Sequence, residues 1–303
     1  MSGTWLRWAR VLVGAAIVVA LLWRVGADPF LDALRRIDAV SLAAAFVIAV
    51  VTTVCCAWRW SLVSRGLGVA VPLRVAVRAC YRSQFLNTTL PGGVIGDVHR
   101  GVRAGRDVGD VGRSLRAVAW ERSAGQVVQL ALAVGVLLVL SSPLRSVTAV
   151  VAVTVAGGVA CAVLAALALS RGGRSWPARL ARTVRADVRL GLLARRAWPG
   201  VLLASAVVVV GHALTFVIAV RTAGSTAPLT QVLPLALLAL LAMSIPANVA
   251  GWGPREGVAA WSFGLVGLGA AQGVTAAVVY GVLAFVASLP GAAVLVAEGV
   301  ARG

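Results

Sequence analysis

Six apolar runs divide the chain, and each has the length of a helix that crosses a membrane. Each holds about 18 to 26 residues, close to the roughly 20 that a hydrocarbon core requires. Tryptophan stands at several of their ends, where an indole ring can lie in the acyl region while its N–H reaches water. The pattern predicts an all-α membrane bundle with full spans at 5–23, 41–58, 121–140, 147–169, 200–220 and 272–297.

Two further apolar segments, 73–90 and 228–245, run directly into helix-breaking residues. The first meets Pro91 and the second meets Pro246, and glycines follow both prolines. Interrupted helices occur at membrane depth where they are buried in protein or line a wet cavity. We therefore interpret both segments as re-entrant hairpins, with breaks at 87–100 and 244–257. The second segment is also long enough to cross the membrane, which would place the C-terminus outside.

The two breaks share a sequence pattern. P-x4-G-x3-R occurs at Pro91, Gly96 and Arg100, and again 155 residues later at Pro246, Gly251 and Arg255. Opposed broken helices that meet near the bilayer midplane are typical of transporters built from inverted repeats. The spacing therefore predicts an internal, inverted repeat that forms a transport path.

Composition agrees with a membrane solvent. Of the 303 residues, 60% are hydrophobic and 13% are charged, whereas soluble domains carry about 25% charged residues. We expect one membrane domain over residues 1–303, in the cell membrane, with no sizeable soluble domain.

The charged residues are strongly biased toward arginine, with no lysine and a net charge of +18. They fall in blocks between apolar runs and form no nucleic-acid-binding module, so we expect no nucleic-acid partner. With six spans and a cytoplasmic N-terminus, 22 of the 28 arginines lie inside, as the positive-inside rule requires. We expect the arginine-rich loop 171–198 to lie on anionic lipid; docking of a partner enzyme is the alternative.

Six charged residues lie beside the breaks or at the start of a span. Such groups are costly at membrane depth and are usually paired or functional. Spacing lets Asp97 and Arg100 pair on one helix, whereas adjacent Glu121 and Arg122 point apart and need partners elsewhere. We expect one network that joins these residues, with solvation of the first four at the cytoplasmic interface as the alternative: Asp97, Arg100, Glu121, Arg122, Arg255 and Glu256.

Known catalytic motifs are missing from the sequence: it has no HExxH, no aspartate pair and no GxSxG. The two histidines, His99 and His212, and the four cysteines lack the spacing of a metal site. We expect no enzymatic activity, no cofactor and no metal.

The motifs around the breaks resemble the signatures of the lysylphosphatidylglycerol synthase transmembrane-region family. They are Asn87-Thr88-Thr89-Leu90-Pro91 with Gly96-Asp97 and Arg100, then Glu121-Arg122 with Gly125, then Ser244-Ile245-Pro246 with Gly251, Gly253 and Arg255-Glu256-Gly257. The resemblance implies movement of phospholipids between leaflets, as in the flippase half of the multiple peptide resistance factor. The lysine-transferring domain of that protein has no counterpart in the sequence.

A protein that moves lipid needs a path for the headgroup, and the chemistry of arginine indicates which residues would hold it. We expect Arg100 and Arg255 to hold a phosphate, while Asp97, Glu121 and Glu256 orient these arginines or receive a cationic headgroup. The predicted function is translocation of an anionic or aminoacylated glycerophospholipid; an accessory subunit for a lipid-synthesis or glycosyltransferase enzyme is the alternative. The oligomeric state stays open. The predicted path comprises Asn87, Pro91, Gly96, Asp97, Arg100, Glu121, Arg122, Pro246, Gly251, Gly253, Arg255 and Glu256.

Overall fold

Helices make up nearly all of the described chain. The computed structural model describes residues 31, 35–90, 93–140, 176–244 and 252–300. The predicted spans 5–23 and 147–169 lie outside these residues. The described helices are α1 (Ala39–Gly66), α2 (Leu73–Thr89), α3 (Ile95–Asp107), α4 (Val111–Val139), α5 (Trp176–Asp187), α6 (Trp198–Thr222), α7 (Leu229–Ala242), α8 (Pro254–Leu265), α9 (Ala270–Ser288) and α10 (Pro290–Val300).

Local capping residues set where several of these helices begin. Asp38 accepts a hydrogen bond from the Ser41 backbone N–H at 2.7 Å at the start of α1, and this bond lowers the pKa of Asp38. Asp110 accepts from the Arg113 backbone N–H at 2.8 Å and starts α4 in the same way. These bonds satisfy backbone donors that the first turn of a helix leaves unpaired.

Four helical stretches of the described chain are long and apolar enough to cross a membrane. They are α1, α4, α6 and the combined α9–α10 stretch Ala270–Glu298, which confirms the helical character of four predicted spans. Two of the predicted spans are shorter than the helices that contain them. α1 continues past Trp58, so Trp60 is buried inside the protein and is not part of an interfacial belt. α4 begins at Val111, so Glu121 lies well inside that helix.

The last predicted span is confirmed as one apolar helical stretch, and its helical hydrogen bonding is interrupted at Pro290. Proline has no backbone N–H and cannot continue the helical bonding pattern. Just before it, the Leu289 N–H donates to the Val286 carbonyl at 3.1 Å in a tighter turn. The predicted single helix is therefore two shorter helices, α9 and α10.

Both predicted hairpin segments consist of a short helix, a break and a second short helix. α2 ends at Thr89, immediately before Leu90-Pro91, and α3 follows from Ile95. α7 has 14 residues and is about 21 Å long at 1.5 Å per residue, against a hydrocarbon core of about 30 Å. As a single helix, α7 is too short to be the full crossing considered above.

The helices repeat with the 155-residue offset of the sequence pattern. Adding 155 to the bounds of α1, 39–66, gives 194–221, where α6 lies. The same shift moves α2 onto α7, α3 onto α8, and α4 onto α9 and α10. The repeat seen in three residues thus extends over every helix of the first described half.

The equivalent helices α1 and α6 pack closely against each other. A Cβ added at Gly211 of α6 would lie 2.4 Å from the Thr52 Cγ2 atom of α1, so only glycine permits this approach. The largest apolar cluster lies in the second half, around Phe216, Leu235 and Phe263. These contacts hold the two halves together, and a cavity lies between them.

Candidate functional site

A cavity of about 310 Å³ lies among α1, α2, α3, α4, α6, α7 and α9. One part of its wall is apolar and includes Ile48, Val209 and Leu283. The other part carries the five charged side chains of the wall, all from the first repeat. They are Arg59, Asp97, Arg100, Glu121 and Arg122.

Glu121 is the centre of this charged wall, with a side chain that is 1% exposed. Its Oε1 atom accepts from the Arg59 Nε at 2.8 Å and from the Arg59 Nη2. Its Oε2 atom accepts from the Arg100 Nη2 at 2.6 Å. Both carboxylate oxygens are therefore bound by arginine, as a buried carboxylate requires.

Asp97 joins the end of α2 to the start of α3 and to α4. Its Oδ1 atom accepts from the Ser83 hydroxyl and the Arg100 Nε, both at 3.0 Å. Its Oδ2 atom accepts from the Asn87 Nδ2 at 3.0 Å and pairs with the Arg122 Nη2 at 2.5 Å. The predicted pairing of Asp97 with Arg100 is confirmed, and Arg122 finds its partner on another helix, as expected.

Asn87 and Gly96 shape the first break. The Asn87 Oδ1 atom accepts from the Gly96 backbone N–H at 2.8 Å, so one side chain binds both the backbone of α3 and Asp97. A Cβ added at Gly96 would lie 2.1 Å from the Ser83 carbonyl oxygen. Glycine at this position lets the start of α3 contact the α2 backbone directly.

Arg122 differs from the other two arginines of the cavity. Its side chain is 48% exposed, whereas those of Arg59 and Arg100 are 5% and 3% exposed. The salt bridge to Asp97 engages its Nη2 atom, and among the described residues its Nε and Nη1 atoms have no partner. Arg122 thus presents N–H donors to the cavity that it lines.

Arg255 and Glu256 form a separate pair at the second break. The Arg255 Nε donates to the Glu256 Oε1 at 2.9 Å, and the Nη2 donates to the same oxygen. The Glu256 Oε2 accepts from the Gly253 backbone N–H at 2.7 Å, which caps α8. Gly253 has a φ of 115°, in the left-handed region that favours glycine. The pair therefore fixes the shape of the break.

The Arg255 guanidinium lies between two aromatic rings. Its Cζ atom is 5.2 Å from the ring centroids of both Trp252 and Tyr280. Tyr280 lines the cavity and shares a 2.9 Å hydrogen bond with the Nδ1 atom of His212. Arg255, 3% exposed, lies behind Tyr280 and is not part of the cavity wall.

The expected network of six charged residues is therefore divided into two groups. Asp97, Arg100, Glu121 and Arg122 lie together, and the first three are buried, so the alternative of solvated interfacial charges does not hold for them. No contact in the described chain joins them to Arg255 and Glu256, because those two satisfy each other at their own break. Pro91, Pro246 and Gly251 lie outside the described residues.

Sequence reasoning missed Arg59, which completes the cluster from α1. It had been counted among the cytoplasmic arginines because the predicted span ended at Trp58. Its Nη1 atom also donates to the Ser205 hydroxyl of α6 at 2.9 Å. It lies in the last third of a 28-residue helix, 62 positions from Glu121, so its role could be recognised only once the full length of α1 was known.

Metal-binding groupings of three or more His, Cys, Asp or Glu are not found among the described residues. The polar side chains that line the cavity carry guanidinium, carboxylate, amide, hydroxyl, thiol and imidazole groups. Guanidinium and amide N–H groups bind anions and other hydrogen-bond acceptors.

Comparison with known families agrees with the motifs at the two breaks. Comparison with curated protein sequences gives no match. The family model described as Lysylphosphatidylglycerol synthase TM region matches residues 7–291. This match covers both repeats and all the charged residues of the two breaks, and it connects the protein with membrane lipid. The chain belongs to the family of the lysylphosphatidylglycerol synthase transmembrane region.

Proposed function

We propose that this protein moves an anionic phospholipid between the two leaflets of the cell membrane. The headgroup occupies the cavity and its phosphate binds Arg122. The observation that carries this proposal is that Arg122 lines the cavity with a half-exposed side chain whose Nε and Nη1 atoms have no partner among the described residues, beside two buried arginines that are paired with carboxylates. A guanidinium can bind a phosphate through two parallel hydrogen bonds.

The charge of the cavity supports an anionic ligand. Three arginines and two carboxylates line it, which leaves one net positive charge when His212 is neutral. A bound phosphate anion neutralises that charge. Because the carboxylates are already held by Arg59 and Arg100, the phosphate need not displace a buried ion pair.

The apolar part of the wall supports a lipid as the carrier of that anion. Ala45, Ile48 and Ala49 follow one face of α1, and Val208 and Val209 face the cavity from α6. Acyl chains are compatible with such a surface, whereas a soluble phosphate compound would leave it wet. We propose that the protein binds and moves the lipid without altering it chemically.

The test is transbilayer movement of fluorescent phosphatidylglycerol in vesicles that contain the purified protein. A membrane-impermeant quencher reports how much labelled lipid reaches the outer leaflet. We expect the quencher to remove more fluorescence than the share of labelled lipid that starts in the outer leaflet. Arg122→Gln should slow this movement by at least about tenfold, since a hydrogen bond to a charged group contributes about 1.5–3 kcal/mol.

Arg113→Gln is the matched control for Arg122→Gln. Arg113 lies on the same helix, is 47% exposed and pairs with one aspartate, but it does not line the cavity. We expect this variant to move lipid at the original rate. The assay is run with and without an imposed membrane potential. Quenching limited to the initial outer leaflet in both conditions would contradict the proposal and favour the accessory-subunit alternative.

A further inference from the structure

We infer that the headgroup carried through the cavity has a phosphate anion and no cationic group. This inference rests on the proposed function and selects one substrate class for the same site. An aminoacylated lipid such as lysylphosphatidylglycerol adds two ammonium groups to the phosphate. A cavity that binds such a lipid needs hydrogen-bond acceptors for these two ammonium groups.

Both carboxylates of the cavity are already bound by arginine. Glu121 is held by Arg59 and Arg100, and its side chain is 1% exposed. Asp97 accepts from Ser83, Asn87, Arg100 and Arg122, and its side chain is 9% exposed. An ammonium group could reach either carboxylate only by displacing an arginine from a buried ion pair, and breaking such a pair is costly. Neither residue is therefore available to a cationic headgroup.

The remaining polar side chains of the cavity are uncharged. They include Gln84, Gln126 and Gln129, whose amides can both donate and accept hydrogen bonds, and the hydroxyls of Thr88, Ser244 and Ser288. Such groups can contact an uncharged polar headgroup but cannot neutralise a cation. The cavity already has one excess positive charge, so an added ammonium group meets repulsion.

The apolar wall gives no alternative site for a cation. The aromatic ring that lines the cavity, Tyr280, already has the Arg255 guanidinium against it at 5.2 Å. Among the described residues, two more aromatic rings already have an arginine against them: Trp60, whose partner is Arg100 at 4.8 Å, and Trp252, whose partner is Arg255 at 5.2 Å. Cation–π contacts, which commonly bind ammonium ligands, are thus occupied by the protein's own arginines in the described part of the cavity.

The test is direct binding of three short-chain lipids to the detergent-purified protein, followed by thermal unfolding or calorimetry. The first is phosphatidylglycerol and the second is lysylphosphatidylglycerol. The third is lysylphosphatidylglycerol with both amino groups acetylated, which keeps the bulk of the lysyl group but removes its positive charges. This third lipid separates an effect of charge from an effect of size.

We expect phosphatidylglycerol to bind at least about tenfold more tightly than lysylphosphatidylglycerol, and the acetylated lipid to bind within threefold of phosphatidylglycerol. Arg122→Gln should remove the preference, and Arg113→Gln should retain it. Equal or tighter binding of lysylphosphatidylglycerol overturns the inference, as does binding of none of the three lipids. Equally weak binding of the acetylated lipid overturns it too, because size would then decide.

The vesicle assay separates this inference from the proposed function. Selective binding of phosphatidylglycerol without movement between leaflets contradicts the proposed function while the substrate class stands. Movement of both phosphatidylglycerol and lysylphosphatidylglycerol at equal rates supports translocation and contradicts the substrate class.

Discussion

At the scale of single residues, buried arginines hold the two breaks in shape. Arg100 and Arg255 occupy equivalent positions of the repeat, and each lies against an indole ring and pairs with a carboxylate in the first turn of the following helix. Both were expected to bind lipid phosphate. Their donors are instead directed at protein groups, and Arg122 has the exposure that a ligand-binding arginine needs.

Removing Arg100 should therefore destabilise the fold. Arg100→Ala leaves Glu121 with Arg59 alone and takes one of two arginines from Asp97, inside a buried cluster. Breaking a buried ion pair costs about 3–5 kcal/mol. We expect a marked loss of thermal stability in detergent, larger than that of Arg122→Gln, which removes one ion pair from Asp97 but leaves Arg100 on both carboxylates. Equal stability of the Arg100→Ala variant would show that its contacts do not support the fold.

Spacing along the sequence predicted some contacts of this cluster and not others. Asp97 and Arg100 are one helical turn apart, so their pairing follows from local geometry. The partners of Glu121 lie 62 and 21 positions away on two other helices. Such contacts depend on how the helices pack, and a single sequence does not contain that information.

At the scale of helices, α10 joins the second repeat to the first hairpin. The Glu298 Oε2 atom of α10 accepts from the Arg82 Nη1 of α2 at 2.5 Å and from the Arg103 Nη1 of α3. A Cβ added at Gly291 would lie 2.2 Å from the Tyr81 carbonyl oxygen. α10 therefore packs directly on the α2 backbone, and one carboxylate fastens three helices.

Neutralising that carboxylate should loosen α10. Glu298→Gln removes the negative charge beside Arg82, whose side chain is 4% exposed. We expect faster amide hydrogen exchange in α10 and α3, measured by mass spectrometry. Asp110→Asn is the control, because it breaks an exposed pair with Arg113 that contributes about 0–1 kcal/mol. Unchanged exchange in α10 after Glu298→Gln would mean that backbone packing alone holds it.

The sequence predicted the breaks better than the path of the final span. Pro91 with the glycine next to it, and Pro246 with glycines five and seven residues later, indicated where α2 and α7 end, since both residue types interrupt helices. The stretch around Pro290 was predicted as one span, and the structure confirms it as an apolar helical stretch that is divided into α9 and α10. This division is compatible with the fold because α10 finds a surface on α2, which appears only once the helices are packed.

At the scale of the whole molecule, the two halves are related by 155 residues. The topology predicted from arginine counts has α1 running toward the cytoplasm and α6 running away from it, and it therefore predicts inverted repeats. Two inverted repeats around one binding site are a frequent basis of alternating access.

Cysteine labelling tests this inverted arrangement. Val108 directly follows α3, and Leu265 is the last residue of α8. Both side chains are exposed, and the two residues occupy similar places in the two repeats. In a background with the four native cysteines replaced, we expect Val108→Cys to react with an impermeant maleimide only from the cytoplasmic side. Leu265→Cys should react only from the opposite side. Labelling of both from one side would contradict the inversion.

The contacts of α10 limit how the two halves can move. The last helix of one half packs on the hairpin of the other half, through Gly291 and Glu298. The two halves are therefore joined through α10, which belongs to the second repeat and packs on the hairpin of the first. Any rocking motion that opens the first hairpin must either carry α10 along or release Glu298 from both arginines. We therefore expect the first hairpin, α2 and α3, to move together with α10 of the second repeat.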